Sequence, residues 1–289
     1  MFKNNTIFNI FLIFIFFSTQ TLMLSGCNNK STEPTKINLF KYKEFVKIHH
    51  NSMNNLFYST VDKIDEQHKI MFEKSNLNLE KGNVLQLREK LFYDICDTVK
   101  KDLERQRILI EDNKFSKDIE MVKKILFQAE NKNLHLRKIE DVIEEAREYS
   151  NKNSSFKCEK YFNSMQRGVE ALKSKNKIED LNVLIKEIEN ENYDNVSFDI
   201  KNKIKRSIEV MKDSYQNTLK FYSKNDSSTN SLLNYNISNE ITDVEGLLIT
   251  CIVILADGIG AAVGNIAGCV AFSLAAAALA YLYYQYVCN

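Results

Sequence analysis

The run Ile200-Lys201-Asn202-Lys203-Ile204-Lys205-Arg206-Ser207-Ile208-Glu209-Val210-Met211-Lys212-Asp213-Ser214-Tyr215, continued by Leu219 and Tyr222, decides the fold class. Its apolar members fall at 200, 204, 208, 211, 215, 219 and 222, steps of three and four that keep returning to one side of a 3.6-residue helix. The positions between them are mostly Lys, Arg, Glu, Asp and Asn, as a solvated face requires. Working back along the chain, the same rhythm recurs. Tyr42, Phe45, His49, Met53, Leu56, Thr60, Ile64, His68 and Met71 predict a first helix, and Val84 through Leu103 a second. Ile119, Val122, Leu126 and Ala129 start a third that Leu136, Ile139, Ile143 and Ala146 continue. Cys158, Phe162, Met165, Val169 and Leu172 mark a fourth, which Leu181, Leu184 and Ile188 either extend or follow as a short piece. Ser116 and Ser197 are candidate N-caps.

Turn chemistry is scarce. The 289 residues hold one proline and eight glycines, and only Gly82 and Gly168 lie between residues 27 and 245. So little punctuation excludes a sheet protein with many tight turns. The expected class is all-α: an antiparallel helical bundle with long, coiled-coil-like helices over 37–223. The steps do not keep a strict heptad, which argues against one continuous rod. Residues 224–243, with Asn225-Asp226-Ser227-Ser228-Thr229-Asn230, read as a polar linker.

From Gly246 to Asn289 the only charged residue is Asp257. This 244–289 segment carries Gly260, Gly264 and Gly268 at every fourth position, a glycine-zipper pattern that lets helix backbones approach closely. Ile259–Leu282 as one helix would measure about 36 Å, enough to cross a hydrocarbon core. Tyr281, Tyr283, Tyr284 and Tyr286 suit a membrane–water boundary. Three readings stay open: a membrane-inserted helix, insertion into a different membrane, and a buried hairpin at the heart of the bundle. Self-association or a protein partner engaging 244–289 is a further expectation. A chain reversal near Gly260 would set Cys251 opposite Cys269, a possible disulfide.

At the other end, Lys3 precedes an apolar stretch, Ile7 to Phe17, interrupted only by Asn9. Leu24-Ser25-Gly26-Cys27 follows. A charged start, a short apolar run and small residues before a cleavage point make a secretory signal. These four residues resemble the lipobox of bacterial lipoproteins. The resemblance covers only residues 1–27. It implies cleavage between Gly26 and Cys27, and a covalent diacylglycerol and N-acyl chain on Cys27 in place of any diffusible cofactor. It also implies attachment of an exported chain to membrane lipid at the cell envelope. Residues 27–36, including Pro34, then read as a flexible tether.

Lys+Arg 39 against Asp+Glu 38 leaves a net charge of +1, so no nucleic-acid partner is expected. No two of the four histidines stand at i, i+4, no Gly-rich phosphate loop precedes a helix, and no serine sits in a nucleophile elbow. The sequence predicts no catalytic residue and no metal site. His49 and His68 read as core histidines. The functional expectation is a lipid-anchored envelope protein that binds or scaffolds without catalysis. The alternative is a bacteriocin-like or pore-forming effector acting through 244–289.

Overall fold

The computed structural model describes residues 42–75, 81–127, 138–175, 177–224 and 244–287. The signal peptide, lipobox Cys27 and tether lie outside them, as do residues 225–243 of the expected linker and Cys288. The described chain is all-helical. Its helices are α1 (Tyr42–Ser75), α2 (Lys81–Arg105), α3 (Asp112–Val122), α4 (Ile139–Asn153), α5 (Glu159–Leu172), α6 (Asn182–Glu189), α7 (Phe198–Lys224), α8 (Val244–Val263) and α9 (Ile266–Val287). A π-helical turn, Lys123–Phe127, prolongs α3, and a 3₁₀ turn, Ile178–Leu181, leads into α6. Leu184 and Ile188 therefore belong to a separate short helix, with Leu181 closing the 3₁₀ turn ahead of it, and not to an extended α5.

The stripes read from sequence face inward. Phe45 and Leu56 of α1, Leu91, Ile95, Val99 and Leu103 of α2, and Ile204 and Met211 of α7 are all buried. Ser197 meets α7 as an N-cap, its hydroxyl 3.4 Å from the amide of Ile200. Ser116 does not cap. α3 begins earlier, at Asp112, with Glu111 at the cap position, so Ser116 sits inside the first turns.

What these faces enclose is the C-terminal segment. Every residue of 251–262 and 266–280 is buried. A helix apolar on all sides needs a dry surround on all sides, and here other helices supply it. α8 packs against α7, α4 and α9, while α9 packs against α1, α2 and α3. The small side chains of Ala275, Ala276, Ala277 and Ala278 let the surrounding backbones come close. No helix among the described residues is long and apolar enough to cross a membrane.

Two expectations need correction here. Of the readings left open for 244–289, the single helix over 259–282 does not form; the chain breaks at Gly264–Asn265 and turns back, giving the α8–α9 hairpin, the arrangement of the third reading. The three zipper glycines are consequently not on one helix face. Gly260 is in the last turn of α8, Gly264 lies in the turn between the helices, and Gly268 is in the first turn of α9. Each still marks a close approach. A Cβ at Gly260 would stand 2.9 Å from Cys269 Cα, and one at Gly268 would stand 2.5 Å from Asp118 Cγ.

Candidate functional site

The turn of the hairpin is clamped from two directions. Asn265 is the N-cap of α9: its side-chain oxygen accepts the amides of Ala267 (2.9 Å) and Gly268 (3.2 Å). Asp118 of α3 presses a carboxylate against the same helix start, facing the backbone amides of Asn265 and Gly268. Arg206 of α7 serves the opposite pole, donating to the carbonyls of Ala261 (2.7 Å) and Gly264 (3.1 Å) at the end of α8. An anion at a helix N-terminus and a cation at a C-terminus both complement the helix dipole. Arg206 also lies over the Phe45 ring of α1, 4.2 Å from its centroid, so one guanidinium joins three helices. Burial pushes the Asp118 carboxyl up to about 7, opposed by the two amides and by Arg206.

About two turns further along α8, a second polar group sits in an otherwise apolar interior. Asp257 accepts a hydrogen bond from the Ser214 hydroxyl of α7. Its other oxygen lies 3.8 Å from Nε2 of His49 on α1 and has no hydrogen-bond partner among the described residues. His49 Nε2 is 2.9 Å from Ser273 Oγ of α9, and Ser273 donates to the Cys269 carbonyl at 2.9 Å. A serine has one proton to give, so this pattern assigns the imidazole proton to Nε2 and leaves Nδ1 bare. That Nδ1 has no partner among the described residues. His49 and Asp257 are each 2% exposed. Burial lowers the His49 pKa to about 4, against the opposing field of Asp213, and raises that of Asp257 to about 7. At the rim, His50 Nδ1 and Asp213 Oδ2 pair at 2.9 Å, half-buried.

Serine, histidine and aspartate thus converge, but not in the roles of a hydrolytic relay. Such a relay puts the carboxylate on the ring nitrogen opposite the serine, where it orients the base. Here the carboxylate and Ser273 share Nε2, and the far nitrogen is empty. The whole set is closed off from solvent. Among the described residues no group of three or more His, Cys, Asp or Glu side chains could hold a metal ion.

A polar groove of about 530 Å³ runs between α1 and α2, lined by Asn55, Ser59, Lys63, Asp97, Lys101 and Arg105 among others. Polar side chains on its walls engage one another: Lys101 pairs with Asp97 at 2.6 Å, Lys63 donates to Thr98 at 3.2 Å, and Gln106 donates to Asp102 at 2.6 Å. It reads as a wet seam between two amphipathic helices.

Cys251 and Cys269 are both free thiols, as are Cys96 and Cys158. The reversal at Gly264–Asn265 puts Gly260, not Cys251, beside Cys269. Cys251 stands nine residues before Gly260, about 13 Å of helix rise, beyond disulfide reach. Burial pushes the Cys251 and Cys96 thiols up to about 12, so neither is a ready nucleophile.

No protein family matches this chain, and no curated protein or solved structure does.

The sequence had marked Asp257 as the lone charge of its segment and His49 as a core histidine. Their meeting was not legible there, nor were the roles of Asp118, Arg206 and Asn265. Gly264-Asn265 was the available signal for the turn, since both residues favour chain reversal.

Proposed function

We propose that this chain is a lipid-anchored bacterial envelope protein whose mature region is an antiparallel helical bundle that binds or scaffolds without catalysis. The lipobox at Leu24–Cys27 supports the anchor. The observation that carries the non-enzymatic part is the closure of the one Ser–His–Asp convergence described, at 2% exposure for both His49 and Asp257 and with its histidine wrongly oriented for a relay. The apolar segment is occupied with holding the bundle together. Partner contact therefore falls to the charged outer faces of α1–α7, held off the membrane by the tether.

Cys27→Ser tests the reading. The wild-type chain is expected to partition into detergent and to incorporate labelled palmitate, and the variant to do neither while keeping its helical content. Equal labelling of the two overturns the anchor. Dye release from liposomes by the purified mature chain would instead favour the effector reading, in which the hairpin leaves the bundle.

A further inference from the structure

We propose that Asp257, set between His49, Ser214 and Ser273, is a proton-operated latch that makes the grip of the surrounding helices on the α8–α9 hairpin depend on pH. Its position gives it leverage. Asp257 lies about two turns before the end of α8, and three other helices meet it: His49 from α1, Ser214 and Asp213 from α7 and Ser273 from α9 face the carboxyl, while the Cys269 thiol of α9 donates to the Asp257 backbone carbonyl at 3.6 Å. Asp213 adds a second negative field, and the nearest base, His49, is neutral and is itself flanked by His50. With a proton on it, Asp257 is a neutral acid beside a neutral imidazole, spared the repulsion of Asp213. Without one, it is a buried anion held by the Ser214 hydroxyl; Ser273 faces it too, but that hydroxyl donates to the Cys269 carbonyl and lies against His49, which leaves the second carboxylate oxygen without a hydrogen bond. Water relieves such an anion more fully than the two serines do, and in this closed pocket it enters as α7 or α1 parts from the hairpin.

The direction follows from linkage. The carboxyl's folded pKa, about 7, lies above its ordinary 3.8. Its contribution to stability is complete below about 3.8 and is lost as pH rises toward 7. Asp118 at the turn, facing Arg206 from α7 and close to Tyr149 of α4, has the same sign and a similar window. His49 runs the other way: lowered from 6.5 to about 4, it contributes above 6.5 and loses that contribution as pH falls through 4. Two carboxyls against one imidazole leave a net tightening as pH falls from about 7 to 5.

The test is amide hydrogen exchange in α8 and α9 of the full mature chain between pH 5 and 7.5, corrected for intrinsic exchange. In the wild type the local opening constant is expected to grow with pH. Asp257→Asn, which keeps shape and loses the titration, is expected to flatten that slope by up to tenfold per pH unit. An unchanged slope overturns the latch. A carboxyl ¹³C titration of the wild type decides the matter if the variant does not fold. A midpoint near 7 for Asp257 supports the latch, and one near 4 ends it.

Discussion

The amphipathic helices α1–α7, the sheath, and the hairpin that α1, α2, α3, α4 and α7 cover are built on opposite rules. Each sheath helix spends half its surface on charge, and its inward face can be read from spacing alone. The hairpin has no polar face, so nothing in its own sequence says which way it points or what should cover it. Lipid and amphipathic helices are equivalent surrounds by composition. The difference between them is set by inventory: the sheath offers an inward stripe from Phe45 to Tyr215 that would otherwise lack a partner. In the fold, the hairpin is what that stripe covers.

The strongest way to break this comparison is to remove the hairpin. Deleting 244–289 is expected to abolish cooperative thermal unfolding and much of the helical circular dichroism, because α1, α2, α3, α4 and α7 all lose their central contact. A truncated chain that still melts cooperatively near the wild-type temperature would make the sheath a bundle in its own right. A subtler cut separates the two regions by a single atom. Gly268→Ala puts a Cβ 2.5 Å from Asp118 Cγ, where backbone and carboxyl must both give way. The expected cost is about 2 kcal/mol in denaturant unfolding, and a neutral result would mean that α3 does not press on the turn. The mirror-image change belongs to the sheath. Arg107 closes α2 with φ of 60°, its amide on Glu104 O and the Ile108 amide on Leu103 O, the paired bonds of a glycine-type helix stop. Arg107→Gly removes a Cβ from the left-handed region, and a gain of about 0.5 kcal/mol is expected. Core glycines should resist a side chain just where this arginine does without one.

The same contrast explains what could be read in advance. Over the described residues of 42–224 the period gave the helical class and most inward faces, because half of each helix answers to water; it did not separate α3 from α4, which it had joined from Ile119 to Ala146. The ends were harder: Ser116 looked like a cap, yet α3 starts at Asp112 with no side-chain cap at Glu111. In 244–289 apolarity was continuous, so the break at Gly264–Asn265 was masked by a glycine period that fitted one long helix equally well. The site was out of reach for a different reason. His49 and Ser273 are 224 positions apart, and no local rule couples a histidine on the first helix to a serine on the last. Arg206 looked like one more surface charge until the ends of α8 and α9 were beside it.

Placing the core in the final stretch has a consequence for biogenesis. A nascent chain emerges with its first residues leading, so the sheath helices leave the ribosome with nothing to wrap. The contacts that α1, α2 and α3 make with α9 form only once α9 has been made. A product cut short after residue 243 would lack the hairpin that α1, α2, α3, α4 and α7 cover, and is expected to be more open to proteases than the full chain.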